Sequence, residues 1–413
     1  MERFDVLIVG AGHSGVALVG QLRKSGYQGR IGVLEAQGHL PYERPPLSKG
    51  YMLGEVGEAE LLLRQADYWS GGTAELLTGV TVTHIDPVAH TATTADGRVI
   101  GYRALVWATG AAARTLAMPG ADASNVVSVR TLDDAQRLAD LARHAKRAVL
   151  IGGGYIGLET ASTLAKLGLQ VTVLEAADRL LARVAGPVLA GHLQRAHEAH
   201  GVRVVTGARI AGIEADGDRA TAVKLEGGER LPADVVVVGV GVVPLDEVLA
   251  SAGAEVSNGV VVDEACRTTL PDVYAVGDIA SQRNPYFLGG ERFRLESVPN
   301  VTEHARFVAA DLLGQPIPPR GVPWFWSNQY EFKLQTAGIL TGFDEEVIRE
   351  HSDQTLVVGY FREGRLLAAD TIGAPKDFNA VKTILGRGIS LSPEDFANRE
   401  VPLTDRLRPV LTG

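Results

Sequence analysis

Two glycine hexapeptides carry the most legible chemistry in this 413-residue chain. Gly10-Ala11-Gly12-His13-Ser14-Gly15 and Gly152-Gly153-Gly154-Tyr155-Ile156-Gly157 both fit the spacing GxGxxG. In such a run the first glycine permits a tight turn, the second lets a pyrophosphate approach the backbone, and the third lets a helix pack closely on a strand. The helix that follows offers free N–H groups and the positive end of its dipole to phosphate oxygens. Each hexapeptide is followed, about 20 residues on, by an acid placed to accept hydrogen bonds from ribose hydroxyls, Glu35 in the first case and Glu175 in the second. A carboxylate at Glu175 also repels a 2′-phosphate, so NADH is expected over NADPH at the second site, with Arg179 and Arg183 close enough in sequence to soften the preference.

A cradle of this kind works only if a strand enters the turn and a helix leaves it. Val6-Leu7-Ile8-Val9 is a continuous apolar run, as expected of a parallel strand buried on both faces. After the turn, Val16, Val19 and Leu22 recur at helical spacing, and Ile31-Gly32-Val33-Leu34 gives the next strand, ending in Glu35. The second copy repeats the order. Ala148-Val149-Leu150-Ile151 enters the turn, a helix carries Leu158, Ala161, Leu164 and Ala165, and Val171-Thr172-Val173-Leu174 leads to Glu175. Two complete βαβ units imply two dinucleotides, one held permanently and one exchanged.

Further strand–glycine elements follow. One ends in Ala108-Thr109-Gly110, its counterpart in Gly239-Val240-Gly241, and a third runs from Val273 to Gly277-Asp278. Asp278 thereby falls at the carboxyl edge of a sheet, where ligands bind; the plainer reading is a capping aspartate. Between Val202 and Val237, short β segments and the turns Asp216-Gly217 and Gly227-Gly228 predict a β-meander. The predicted class is α/β, with one Rossmann-like domain inserted in another; the first breaks near residue 113 and resumes near 245.

Composition excludes other chemistries. The 49 acids against 40 bases give a net charge of −9, which argues against nucleic acid. A single cysteine, Cys266, excludes a disulfide scaffold, a multi-cysteine metal or iron–sulfur site and a CxxC dithiol. Cys266 is expected to be a small structural residue near a strand end. Among the ten histidines, His197 and His200 stand three apart on a helix without a third ligand, so both are expected at the surface and no metal is expected. The apolar stretch from Val235 to Val243 is too short to span a bilayer, and no signal-peptide pattern precedes the first strand, so a cytoplasmic protein is expected.

Together with the glycine turns, further runs resemble the pyridine-nucleotide flavoprotein disulfide-reductase superfamily. Within it they are similar to the putidaredoxin-reductase-like ferredoxin reductases that serve bacterial monooxygenases and ring-hydroxylating dioxygenases. These runs are Arg44-Pro45-Pro46-Leu47-Ser48-Lys49, Gly152 to Glu159, Ala275-Val276-Gly277-Asp278, Arg294-Leu295-Glu296-Ser297-Val298-Pro299-Asn300 and Pro323-Trp324-Phe325-Trp326-Ser327. The resemblance spans nearly the whole chain, and the last two runs are specific to the subgroup. It implies a glutathione-reductase-like fold: an FAD-binding domain at 1–112 and 245–320, an NAD-binding domain at 113–244, and a C-terminal α+β domain at 321–413 covering the flavin. One departure matters. Relatives with thiol chemistry carry redox cysteines after the first unit, whereas Pro41-Tyr42-Glu43-Arg44-Pro45-Pro46-Leu47 has none. Electrons are therefore expected to leave the flavin directly.

The resemblance also assigns site residues. For FAD it implies Gly10, Gly12, His13, Ser14, Gly15, Glu35, Ala36, Arg44, Lys49, Val82, Ala108, Thr109, Gly110, Arg130, Gly277, Asp278, Glu296, Ser297, Val298 and Trp326. For NAD it implies Gly152, Gly154, Tyr155, Ile156, Gly157, Glu159, Glu175, Arg183, Gly239, Val240 and Gly241. Lys49 follows a stiff Pro-Pro segment and by resemblance lies on the N5 side of the flavin, paired with Glu159, which opens the second helix. The helix beginning at Ser297 would turn its positive end to the N1/C2=O edge. Plainer readings remain for each: a surface amine for Lys49, an ordinary cap for Ser297, solvated charges for Arg44 and Arg130, a core ring for Trp326. The implied activity is electron transfer from NADH through FAD to a small acidic [2Fe-2S] ferredoxin, with Arg306, Lys333 and Lys382 around Trp326 as docking contacts. The alternatives are a rubredoxin reductase or a non-catalytic FAD-bearing interaction protein.

Overall fold

In a computed structural model of the protein, residues 1–407 are described. They pack as two compact units. The first comprises Met1–Glu43, Glu58–Ala112 and Val243–Gly321; the second comprises Arg44–Gly57, Ala113–Val242 and the chain from Val322 onward.

The first unit is built on a sheet whose parallel strands lie in the order Glu75–Thr78, Ile31–Glu35, Glu2–Val9, Val99–Trp107, Val273–Ala275. The entering strand is longer than its apolar run predicts. Pairing extends back to Glu2 opposite Ile100, although Glu2 and Arg3 are exposed. Residues 6–9 are buried on both faces, as a sheet covered on two sides requires. The helix His13–Lys24 buries Val16, Val19 and Leu22 as their spacing predicts, and packs on the helix Val298–Leu312. Cys266 belongs to the core of this unit, in the loop between the strands Val260–Val261 and Val273–Ala275.

The second unit repeats the plan. Its parallel sheet runs Arg203–Val205, Gln170–Leu174, Arg147–Ile151, Val235–Val238, Val126–Val127. The meander predicted between 202 and 237 is a three-stranded antiparallel sheet, Ile210–Asp216, Arg219–Leu225 and Arg230–Pro232. From residue 324 an antiparallel five-stranded sheet follows, with the helix Pro375–Arg387 packed on it. One core joins Leu158, Leu164 and Val173 with Leu334, Val358 and Ile372, so the C-terminal sheet and the second βαβ unit share their apolar interior. Among the described residues, no helix is long and apolar enough to cross a membrane.

Candidate dinucleotide cradles and the Lys49–Glu159 pair

At the first glycine turn two strands end side by side. Gly10 N–H donates to Leu34 O (2.7 Å), and Ala108 N–H donates to Val9 O (2.7 Å). Gly10 has φ +104°, and a Cβ there would lie 2.5 Å from Ala108 O. A Cβ on Gly15 would lie 2.1 Å from Gly10 O, so the helix reaches the turn only because Gly15 has no side chain. The helix begins on Gly12 with no side-chain cap, and its N-terminal end carries the positive end of the helix dipole. Glu35 clamps the loop: Oε2 accepts from Ala11 N–H (2.7 Å) and Oε1 from Gln37 N–H (3.0 Å). Ala36 beside it is exposed.

The second turn reproduces these contacts. Gly152 N–H donates to Leu174 O (2.8 Å), and Gly239 N–H to Ile151 O (2.8 Å). A Cβ on Gly152 would meet Gly239 O at 2.4 Å, one on Gly157 would meet Gly152 O at 2.2 Å, and one on Gly154 would meet nothing within 4 Å. The helix Tyr155–Lys166 starts on Gly154, again without a side-chain cap, and Ile156 in its first turn is exposed. Glu175 accepts from Gly153 N–H (2.7 Å) and Ala177 N–H (2.8 Å). Thr131 and Ser392 cap other helices through Asp134 N–H and Asp395 N–H, whereas Pro187–Ala199 and Pro375–Arg387 also start without a side-chain cap, so it is the close glycine packing and the clamped carboxylate that set the fingerprint helices apart. Each fingerprint helix thus starts on a glycine without a side-chain cap, beside a carboxylate that clamps the turn, and FAD and a nicotinamide dinucleotide fit this arrangement.

Around the first turn, Ser14 is brought against Gly277, whose missing Cβ would lie 2.1 Å from the Ser14 hydroxyl. Asp278 sits half-buried in a 3₁₀ turn, Gly277–Ile279, rather than at a strand end. His304, which sequence reasoning passed over, holds that turn: its Nδ1 accepts from Gly277 N–H (3.0 Å), and burial pushes its pKa down to about 3, so it stays neutral. Val82 is buried in a strand of the same unit, and Thr109 hydroxyl donates to Leu245 O (3.3 Å), next to Gly110 in the left-handed region. Ser297 caps the helix Val298–Leu312 through Asn300 N–H, and Glu296 pairs with Arg294 (2.8 Å).

Arg44, Lys49, Arg130 and Trp326 belong to the second unit. Arg44 precedes the 3₁₀ turn Pro45–Ser48; Arg130 precedes the Thr131 cap; Trp326 is half-buried beside Trp324 at 5.5 Å. Arg183 is exposed, with its guanidinium over Gly241, where a Cβ would lie 3.4 Å away. Arg179 is committed to its own loop, donating to the carbonyls of Ala182 and Ala185.

Lys49 and Glu159 meet. Nζ lies 2.6 Å from Glu159 Oε2, with the lysine side chain 20% exposed and the glutamate 3%. Glu159 does not open its helix, as the sequence reading had it. It lies in the second turn and points inward. Two serines to which the sequence assigned no role complete its shell: Ser48 hydroxyl donates to Oε2 (2.9 Å) and Ser327 hydroxyl to Oε1 (2.6 Å). Thr163 hydroxyl donates to Ser48 O (2.8 Å), latching the Pro-Pro segment to the same helix. The expectation of two surface histidines also fails for His197, which is fully buried and bonded to Gln329 (2.9 Å) and Tyr330 (3.1 Å); the helix that carries it turns that face into the core.

Residues 4–305 match the family model described as pyridine nucleotide-disulphide oxidoreductase, and 324–407 match that described as reductase C-terminal. The chain belongs to the pyridine nucleotide-disulphide oxidoreductase family. It is 43% identical to the 5,5'-dehydrodivanillate O-demethylase ferredoxin reductase subunit of a Sphingobium species, over 98% of each chain. It is 38% identical to putidaredoxin reductase from Pseudomonas putida, over 97% of this chain and 96% of that one. Its fold matches the reductase in a covalent putidaredoxin reductase–putidaredoxin complex with a TM-score of 0.94, at 37% identity and 98% coverage of both. The family's name refers to a disulphide, but this member has one cysteine. Cys266 is buried at φ 68°, and burial pushes its thiol pKa up, away from the reactive thiolate.

Proposed function

We propose that the chain is a reductase that takes electrons from NADH and passes them through FAD to a small acidic [2Fe-2S] ferredoxin, which supplies a cytochrome P450 or ring-hydroxylating oxygenase. The observation that carries this reading is the duplication of a complete cradle, down to the carboxylate clamp, in a chain whose one thiol is buried. FAD, when bound, supplies the change from a hydride's two electrons to single electrons. Gly10, Gly12, Gly15 and Glu35 hold it without a covalent bond, and Gly152, Gly154, Gly157 and Glu175 take NADH.

Lys49 supplies a fixed positive charge for the hydride transfer and Glu159 keeps it in place. Glu159 is carried by the helix whose start would receive NADH, and Lys49 is paired to it (2.6 Å). Replacing either slows reduction by NADH with FAD still bound, and the double replacement costs less than the sum of the singles. Arg306 and Lys333 are exposed and suited to an acidic partner, whereas Lys382 lies over the Trp324 ring at 4.8 Å and is less free to reach one. We place the reaction in the cytoplasm, in keeping with a chain that forms no disulfide.

The test is anaerobic mixing of catalytic amounts of the protein with NADH and a [2Fe-2S] ferredoxin. Bleaching of the ferredoxin is expected. Reduction of rubredoxin but not ferredoxin would move the assignment to a rubredoxin reductase. Inertness toward both and toward ferricyanide would leave a non-catalytic FAD-bearing protein.

A further inference from the structure

Glu159 is the end of a longer line of buried polar side chains. Ser327 donates to Glu159 Oε1 (2.6 Å), Gln329 Nε2 donates to Ser327 Oγ (3.2 Å), Gln329 Oε1 meets His197 Nε2 (2.9 Å), and Tyr330 hydroxyl meets His197 Nδ1 (3.1 Å). Counted over the whole residue, Glu159, Ser327, Gln329 and His197 are all buried. The direction of every bond follows from the carboxylate. It only accepts, so Ser327 gives it the hydroxyl proton; Ser327 Oγ must then accept from the amide N–H of Gln329; the amide oxygen is left for His197, whose Nε2 must carry the proton. His197 is kept neutral, since desolvation lowers its proton affinity, so Nδ1 offers a lone pair and Tyr330 donates to it.

Tyr330 gives an independent sign that this line is built. It occupies the first position of the two-residue turn between Gln329 and Phe332, with φ 52°. Glycine, asparagine or aspartate is the ordinary choice in such a turn. A bulky ring there is accounted for by its contacts, the bond to His197 and a stack on His200 at 3.7 Å and 13°.

We propose that Ser327, Gln329 and His197 are positioning residues: a one-directional hydrogen-bond chain running from Tyr330 to Glu159, which holds that carboxylate, and through it Lys49, for reduction by NADH. The proposal rests on the reading that Lys49 serves the hydride transfer. Its physical content is that a fully satisfied buried network fixes one geometry, while a gap in it frees the next member.

Two measurements test it. In the protein without FAD or NADH, the imidazole ¹⁵N shifts of His197 should report the neutral Nε2–H tautomer, and Ser327→Ala should disturb them across two intervening bonds. The Nδ1–H tautomer or a cationic ring would overturn the chain. In the FAD-loaded protein under rapid mixing, Gln329→Met should slow reduction by NADH about fivefold, the equivalent of one net hydrogen bond, with NADH affinity unchanged. His197→Gln, which can present an N–H to Gln329, should lose less than His197→Phe. In a Lys49→Met background the Gln329 replacement should cost nothing further. An equal loss in both backgrounds, or none in either, would overturn the proposal. If Lys49→Met is itself without effect, the role of Lys49 falls and the proposal with it; if Lys49→Met slows reduction and Gln329→Met does not, only the chain's role falls. Should Gln329→Met fail to fold, Ser327→Ala gives the same comparison with a smaller change.

Discussion

Glu175 does two things with one carboxylate. Its oxygens already accept from Gly153 and Ala177, which shapes the loop, and under the proposed function their remaining lone pairs would accept from the ribose of NADH. Glu175→Ala therefore removes both a ribose acceptor and a loop clamp. Steady-state kinetics should show the NADH Michaelis constant rising about tenfold and the NADPH value rising less, because repulsion of the 2′-phosphate is lost at the same time. A wild-type preference for NADPH would contradict the role given to Glu175. The commitment of Arg179 to loop carbonyls removes one of the two cations that could have softened the discrimination. Asp370 offers a test of a different kind. It is fully buried, accepts from Thr336 and Tyr360, and burial raises its pKa to about 6 from 3.8. The folded state thus holds this proton more tightly than the unfolded chain. Its contribution to stability is present below about pH 4 and is lost as pH rises through about 6. Asp370→Asn should gain on the wild type over that interval and level off above it, by up to about 3 kcal/mol. Thermal unfolding at a series of pH values reads this directly, and a gap that does not change with pH would show that Asp370 titrates as an ordinary carboxylate.

The two fingerprint turns were legible in the sequence because everything they need is local: a strand, three glycines, a helix and an acid within one short stretch. The close approaches that explain the glycines are equivalent in the two copies. A Cβ on Gly15 or Gly157 would fall 2.1 or 2.2 Å from a backbone carbonyl oxygen, which cannot yield as a flexible side chain can. Gly15→Ala should thus lower the FAD content of purified protein with little change in the NADH Michaelis constant of the fraction that keeps it. Gly157→Ala should do the reverse. Flavin absorbance per chain and initial rates separate the two, and an exchange of these effects would reverse the assignment of the cradles. What the sequence concealed is the surroundings of Glu159. Its partners Ser48 and Ser327 lie 111 and 168 residues away along the chain, and a lone serine beside two prolines or in a tryptophan-rich strand carries no local signal. His197 was misplaced for a related reason. Its spacing from His200 raises only the question of a metal ligand, although Leu189, Leu193 and Ala196 are buried on the same helix, and its partners Gln329 and Tyr330 lie 132 and 133 residues away.

At the scale of the whole molecule, a net charge of −9 opposes an acidic partner, so association must rely on local cations. Screening reaches about 8 Å at physiological ionic strength, and the rate of ferredoxin reduction should fall as salt rises while ferricyanide reduction falls less or increases. Arg306 is exposed, and Arg306→Glu should raise the Michaelis constant for ferredoxin and leave NADH kinetics unchanged. Indifference to both salt and this substitution would favour an apolar interface. The central claim is that electrons pass from NADH to FAD and out of the chain with no thiol between, since Cys266 is alone and buried. An anaerobic titration of the FAD-loaded protein with NADH, followed by flavin absorbance, tests it most directly. One equivalent of NADH per flavin should complete the bleaching, with no further NADH oxidised in the absence of an acceptor. Oxidation of a second equivalent would reveal another two-electron group in the chain and contradict the account.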